Sequence, residues 1–312
     1  MNKRINKRDV MLSLAHGEKP PYTPAAFFLH FDPAFHRGEA AVDKHLEFFR
    51  ATDMDFVKVQ YEQRQPPHAP IRRAEDWADM PLYPHDFFEE PAAVVEGLVK
   101  AAKREALVIL TLYSPLMWAA RLEGADIVKH LAENPAAVAK GMEIMTENVR
   151  RLVRACKRVG VDGFYVSTQG GETFRLGAGD LFRTYVKPTD LAVWDAIGET
   201  ECSILHVCDY QGPYDDLSPF TDYPGHIVNC SLEVGDRTLT PREAAELFGR
   251  PFMGGMLRKG ALSTGPVAQI QREAETVLAE APEHFLLAAD CTVLPDTPWS
   301  NLRAAVDVAH AN

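Results

Sequence analysis

The sequence predicts a single domain over residues 1–312 with the fold of a (β/α)8 TIM barrel. Three observations support this prediction. Eight short apolar runs alternate with longer segments of helical periodicity. No linker interrupts this alternation, and 312 residues is a suitable length for eight β-α units. A doubly wound parallel sheet is the alternative, because periodicity does not show whether a sheet closes.

The eight predicted strands are short, mostly apolar runs. They cover residues 25–31, 55–61, 107–113, 163–168, 202–208, 226–230, 251–255 and 284–289. Several of them follow a helix-like segment directly, which is typical of buried parallel strands.

The predicted helices fill the intervals between these strands. They cover residues 5–18, 39–52, 91–105, 116–132, 134–160, 178–198, 240–248, 265–281 and 297–310. Two of them begin at Asn134-Pro135 and Thr240-Pro241, since Pro suits the first helical turn. Residues 62–90 are rich in Pro, His and Arg, and we expect short helical turns within this long excursion.

The composition is that of an ordinary globular enzyme, with 46% hydrophobic and 25% charged residues. The net charge of −11 argues against nucleic acid as a partner. We expect no membrane partner either, because no apolar run is long enough to span a bilayer. Five cysteines at irregular spacings do not suggest a disulfide framework, so a reducing cytoplasmic location is expected.

Three residues predict a metal site. His206 and Cys208 lie two apart at the end of the fifth predicted strand, so their side chains point to the same side. Cys291 follows the eighth predicted strand, and the strand ends of a barrel meet on one face. One nitrogen and two thiolates form the ligand set of a catalytic zinc ion (Zn2+) with its fourth position open. The alternative is two buried cysteines and a hydrogen-bonded core histidine.

Cys230 is the candidate for a fourth protein ligand, because it ends the sixth predicted strand. The alternative is that Cys230 is a packed strand residue. A zinc ion held by thiolates would bind an incoming thiol and deprotonate it, which yields a nucleophile at neutral pH.

Further residues at strand ends are candidates for catalytic roles: His30, Tyr113 and Gln169. Gln169 precedes Gly170-Gly171 and is placed to hydrogen-bond a substrate, unless it is a loop residue facing water. His30 is a candidate general acid or base, with a hydrogen-bonded barrel histidine as the alternative. Tyr113 is expected to line the same pocket.

The pattern His206-x-Cys208 with a distant Cys291 resembles that of the zinc-dependent methyltransferases of the uroporphyrinogen decarboxylase superfamily. These include enzymes that move a methyl group from a methyl-corrinoid protein to coenzyme M. The similarity covers most of the chain. It includes residues 8–20 (RDVMLSLAHGEKP), 159–164 (VGVDGF) and 290–303 (DCTVLPDTPWSNLR).

This resemblance implies a TIM barrel, a zinc ion held by the three residues and a small-molecule thiol acceptor as the fourth ligand. It also implies a corrinoid protein as a methyl donor. The decarboxylases of the superfamily carry an arginine-rich loop near the N-terminus that grips porphyrinogen carboxylates. This chain has no arginine over residues 20–26, so we do not expect it to decarboxylate uroporphyrinogen.

Two alternatives remain open at this point. A metal-free decarboxylase or lyase would use carboxylate and tyrosine chemistry and would keep its activity after Cys208→Ser and Cys291→Ser. A non-catalytic, zinc-stabilised partner of a methyl-transfer complex would unfold when its zinc is removed, and would turn over no thiol.

Overall fold

Seven parallel strands form a curled central sheet in a computed structural model that describes residues 6–60 and 65–312. The sheet order is β1-β2-β3-β4-β5-β8-β9. These strands are β1 (Phe56–Val59), β2 (Leu107–Tyr113), β3 (Gly163–Thr168), β4 (Ile204–Val207), β5 (Ile227–Cys230), β8 (Phe252–Met256) and β9 (Phe285–Ala289). They are buried along almost their whole length, which explains why each is a nearly continuous apolar run.

A short antiparallel hairpin, which the sequence did not predict, lies outside this sheet. It consists of β6 (Glu233–Val234) and β7 (Arg237–Thr238). The turn between them contains Gly235 at a φ of +60°, a conformation that favours glycine.

Helices separate the strands along the chain, as predicted. They are α1 (Lys7–Ala15), α2 (Gly38–Thr52), α3 (His85–Ala102), α4 (Pro115–Ala119), α5 (Ile127–Glu133), α6 (Pro135–Arg158), α7 (Lys187–Ile197), α8 (Pro241–Phe248), α9 (Ala261–Thr264), α10 (Val267–Glu280) and α11 (Trp299–His310). The predicted excursion contains a six-residue 3₁₀ helix over Ala74–Asp79, as expected, and ends in the first turns of α3. Among the described helices, none is both long and apolar enough to cross a bilayer.

Two predicted helices are each divided in the structure. Residues 116–132 form α4 and α5, because the chain turns at Gly124 with a φ of +76°. Residues 178–198 contain a π-helical turn over Phe182–Val186 before α7. Pro188 at the start of α7 has no N–H to donate, which disfavours the regular α-helical pattern at this point.

The prediction of a regular strand over residues 25–31 was wrong. Only Ala25 forms a β-bridge, which pairs it with Leu287 of β9. The reason is local, since Pro24 has no N–H and the N–H of Ala25 is bound by the Asp55 carboxylate at 2.7 Å.

The same segment nevertheless contacts both edges of the sheet. The N–H of Ala26 donates to the Leu287 carbonyl of β9, and the N–H of Asp55, just before β1, donates to the Ala25 carbonyl, both at 3.0 Å. The structure is therefore a curled seven-stranded sheet whose two edges share this segment. The predicted strand over 55–61 is shorter than expected, and Tyr61 lies outside the described residues.

The buried carboxyl group of Asp190 contacts Thr168, the last residue of β3. Asp190 of α7 accepts hydrogen bonds from the hydroxyl groups of Thr168 and Tyr223. Burial raises the pKa of Asp190 from 3.8 to about 7, although both hydrogen bonds act in the opposite direction.

Asp190 should make the stability of the protein depend on pH. Between pH ~4 and ~7 the unfolded chain has lost the Asp190 proton while the folded chain still holds it, so the free energy of unfolding falls as pH rises. Asp190→Asn should abolish the part of this decrease in unfolding free energy that comes from Asp190. Above pH ~7 the variant should be more stable than the wild type. Urea unfolding of both proteins from pH 4 to pH 8 measures the difference. A difference that stays constant over this range would contradict the prediction.

Candidate metal centre

His206, Cys208 and Cys291 converge at the carboxyl ends of the strands. His206 lies on β4, Cys208 directly follows β4, and Cys291 follows β9. Their potential ligand atoms all lie within 4.8 Å of one another, and all three residues are buried. Among the described residues, this is the one group of three or more such side chains with metal-binding geometry.

The distances within the cluster are short. The Sγ atoms of Cys208 and Cys291 are 3.9 Å apart, and Nε2 of His206 is 3.4 Å from Sγ of Cys291. The ring of His206 lies against Tyr165 of β3, with 4.9 Å between the ring centroids. The sequence-predicted ligands therefore come together as the strand-end argument required.

The structure does not bring Cys230 into this cluster. The register pairs Cys230 with Val207 and Asn229 with His206. Because side chains alternate along a strand, Asn229 shares the side of His206 and Cys230 faces the opposite side. Burial raises the pKa of the Cys230 thiol to about 12, as expected of a packed strand residue. The hypothesis of Cys230 as a fourth ligand is not supported.

The pKa values of the two clustered thiols are shifted in opposite directions. The pKa of Cys291 lies well below its ordinary value, chiefly because Cys208 donates a hydrogen bond to it, with positive charge at His206 and Arg258 adding to the effect. The pKa of Cys208 is raised, because its proton is held in this hydrogen bond and because Cys208 is buried. One thiolate is thus favoured here even before any cation binds.

The residues present fit a zinc ion. Nε2 of His206 faces Sγ of Cys291, and a neutral imidazole offers one nitrogen with a free lone pair as a metal ligand. Two sulfur atoms and one imidazole nitrogen are donors that zinc prefers over calcium or magnesium. A set of three protein ligands is also typical of catalytic rather than structural zinc sites.

A cavity of about 390 Å³ opens above the cluster. Its lining includes the predicted catalytic residues and the three candidate ligands: His30, Tyr113, Gln169, His206, Cys208 and Cys291. Nδ1 of His30 lies 3.3 Å from Nε2 of Gln60, and the guanidinium group of Arg121 lies 4.1 Å from the centre of the Tyr113 ring.

Gln169 contacts a candidate ligand and does not face water. Its Nε2 donates to Sγ of Cys208 at 3.4 Å, and its Oε1 accepts from Arg175 at 3.3 Å. Arg175 also donates to the buried carboxylate of Glu172 at 3.4 Å, and burial raises the pKa of Glu172. The Arg175 contact orients the Gln169 amide so that its nitrogen, and not its oxygen, faces Sγ of Cys208.

The lining of the cavity is cationic. Lys58, Arg121 and Arg175 contribute to it, and none of the described residues that line it is acidic. Nζ of Lys58 donates to Gln60 at 2.8 Å and lies 4.3 Å from the centre of the Phe28 ring. Sequence reasoning missed these three cations. Lys58 could have been found from the sequence, because it is the one charged residue within the apolar run that forms β1.

Sequence reasoning also missed an ion-pair triad beside the cluster. Arg258 lies two residues beyond β8 and bonds both Asp209 and Asp290 at 2.7 Å. These carboxylates are the chain neighbours of Cys208 and Cys291, and this adjacency was visible in the sequence.

The fold and the cluster together define an α/β protein with a parallel sheet and a candidate thiolate metal centre at the carboxyl ends of its strands. The sequence profile of the family described as "Uroporphyrinogen decarboxylase (URO-D)" matches residues 52–312. The chain therefore belongs to the uroporphyrinogen decarboxylase family. No curated protein matches it by sequence.

Solved structures share the fold at low sequence identity. A methyltransferase from Methanosarcina mazei superposes with a TM-score of 0.82 at 16% identity, covering 98% of each chain. A B12-independent methionine synthase from Shewanella sp. W3-18-1, in complex with selenomethionine, superposes with a TM-score of 0.53 at 10% identity, covering 94% of each chain. At these identities the likeness concerns the fold alone.

Proposed function

We propose that this protein is a zinc-dependent transferase that moves a methyl or small alkyl group onto a thiol acceptor. The observation that carries the proposal is the cluster of His206, Cys208 and Cys291 at the floor of a cavity. Family membership and a methyltransferase as a structural neighbour support the same class of reaction.

The three clustered residues would hold the ion and leave one position open toward the cavity. When bound, zinc would lower the pKa of a coordinated thiol and so supply a thiolate at neutral pH. Gln169 would donate a hydrogen bond to Cys208 and stabilise negative charge on the sulfur atoms. His30 lines the same cavity and is our candidate acceptor of the thiol proton.

The transfer step forms a carbon–sulfur bond between the acceptor thiolate and the methyl carbon. The bond between that carbon and the donor breaks, and its electron pair stays with the donor. A corrinoid protein is the donor that the family resemblance favours. Exposed apolar side chains on the loops beyond β3, β4, β8 and β9 would suit a protein donor at the cavity mouth: Phe174, Tyr210, Leu257 and Leu294.

The proposal is tested by supplying zinc-loaded protein with methylcobalamin and a panel of small thiols. Loss of the free thiol together with formation of its methyl thioether would support the proposal. A chelator should abolish the reaction, and added zinc should restore it. Turnover of a carboxylate substrate that survives complete zinc removal would favour the decarboxylase alternative instead.

The cationic lining predicts that the preferred thiol carries a negative charge. Arg121→Gln should raise the KM for 2-mercaptoethanesulfonate roughly 10-fold or more, because a charge-assisted contact contributes about 1.5–3 kcal/mol. The KM for 2-mercaptoethanol, which is uncharged apart from its thiol, should stay near the wild-type value. Steady-state kinetics with the two thiols provide the comparison. An equal change in both KM values would show that Arg121 does not recognise the charge.

A further inference from the structure

The two cysteines of the cluster come from strands that are not neighbours. Cys208 follows β4 and Cys291 follows β9, whereas β5 and β8 lie between these strands in the sheet. Three inter-strand spacings of about 4.8 Å each therefore separate β4 from β9 along the sheet. No backbone pairing links β4 to β9 directly, and the sulfur atoms nevertheless lie 3.9 Å apart.

The side chain of Arg258 spans this gap. One nitrogen, Nη1, donates both to Oδ1 of Asp209 and to Oδ2 of Asp290 at 2.7 Å. Asp209 directly follows Cys208, and Asp290 directly precedes Cys291. A single buried guanidinium group therefore holds the chain neighbours of both cysteines.

The backbone around Arg258 strengthens this arrangement. The N–H of Arg258 donates to Oδ1 of Asp290 at 2.7 Å, and the N–H of Cys291 donates to the same oxygen at 3.1 Å. The hydroxyl group of Ser263 donates to the Arg258 carbonyl. Cys291 is thus held by the same carboxylate that Arg258 bonds.

We propose that Arg258 is a positioning residue for the metal centre and sets the spacing of Cys208 and Cys291. This inference rests on the proposed function, because it assumes that the cluster binds zinc. Without the guanidinium group, the buried carboxylates of Asp209 and Asp290 would repel each other. This repulsion would push the two loops that carry Cys208 and Cys291 apart. Loss of groups that orient metal ligands typically costs 10–100-fold in metal affinity.

A purely stabilising ion pair is the alternative, and the chain offers a matched control. Arg8 bonds the buried carboxylate of Asp162 at 2.8 Å, before the start of β3 and therefore at the opposite end of the sheet. Arg8→Met removes an arginine–aspartate contact of similar length without touching the candidate metal cluster.

The experiment measures zinc affinity by competition with a chromophoric chelator for the wild type, Arg258→Met, Arg258→Lys and Arg8→Met. We expect Arg258→Met to bind zinc 10–100-fold more weakly, Arg258→Lys to recover part of the loss, and Arg8→Met to match the wild type. The absorption spectrum of bound Co(II) reports whether both thiolates still coordinate. If Arg258→Met does not fold, Asp209→Asn serves as a milder variant that removes one ion pair.

Wild-type zinc affinity in folded Arg258→Met or Asp209→Asn would overturn the inference and leave the proposed function intact. Equal weakening in Arg258→Met and Arg8→Met would also overturn it, since the effect would then follow general stability. A wild type that binds no zinc would instead overturn the proposed function itself.

Discussion

The Cys208→Ser/Cys291→Ser variant is expected to bind no zinc. Its rate of thiol methylation should be at least ~1000-fold lower than that of the wild type. Both sulfur ligands disappear in this variant, and a single histidine does not retain a structural or catalytic zinc ion. Without the ion, a free thiol is only a few per cent ionised at pH 7. Elemental analysis of protein purified without added metal, beside the transfer assay, measures both quantities.

Cys230→Ala is the matched control for this experiment. Cys230 is also a buried cysteine at the end of a parallel strand, but it faces away from the cluster. We expect this control to keep wild-type zinc content with a modest loss of stability. A double variant that retains about one zinc per chain, or a wild type that stays metal-free under reducing conditions, would refute the zinc hypothesis.

Asp162→Ala should be among the most destabilising single substitutions in this protein, at about 3–5 kcal/mol. The Asp162 carboxylate is fully buried and accepts from Arg8 at 2.8 Å and from the N–H of Val108 at 2.9 Å. Lys103 lies 3.3 Å from it. The substitution leaves the buried N–H of Val108 and the partly buried guanidinium group of Arg8 without this acceptor. The loss is measured as the shift of the urea unfolding midpoint at pH 7.

Asp162→Asn separates charge from hydrogen bonding at this position. The amide oxygen can still accept from Val108 or Arg8, so we expect a smaller loss than in Asp162→Ala. Zinc content should be unchanged in both variants while they remain folded, since Asp162 lies at the opposite end of the strands. A loss below ~1 kcal/mol in Asp162→Ala would show that the ion pairs contribute little.

Seven of the eight predicted strands and the grouping of the three candidate ligands could be predicted, because they follow from local patterns and one general rule of barrels. Apolar runs mark buried parallel strands, and alternation places His206 and Cys208 on one side. The barrel rule then brings Cys291 to the same face. None of these steps requires knowledge of which residue pairs with which.

The sequence predictions failed where the structure depends on strand register or on contacts between residues far apart in the chain. Cys230 was expected near the metal because it ends a strand, but its side depends on a register that the sequence does not reveal. The segment 25–31 has the composition of a strand, yet the Asp55 side chain binds one of the N–H groups that a ladder would use. Arg258 carries no local motif, since its partners lie 49 and 32 residues away.

The Ala25–Leu287 bridge also has a consequence for the order of folding. The segment that touches both sheet edges is synthesised before its partner strand β9, which follows it by more than 250 residues along the chain. Contacts of such long range form slowly, because the intervening chain must first be ordered. Cys291 follows the same strand, so the proposed zinc site can assemble only after β9 has docked. Zinc uptake would then report the completion of folding, and chains stalled before this step would expose an unpaired sheet edge to chaperones and to aggregation.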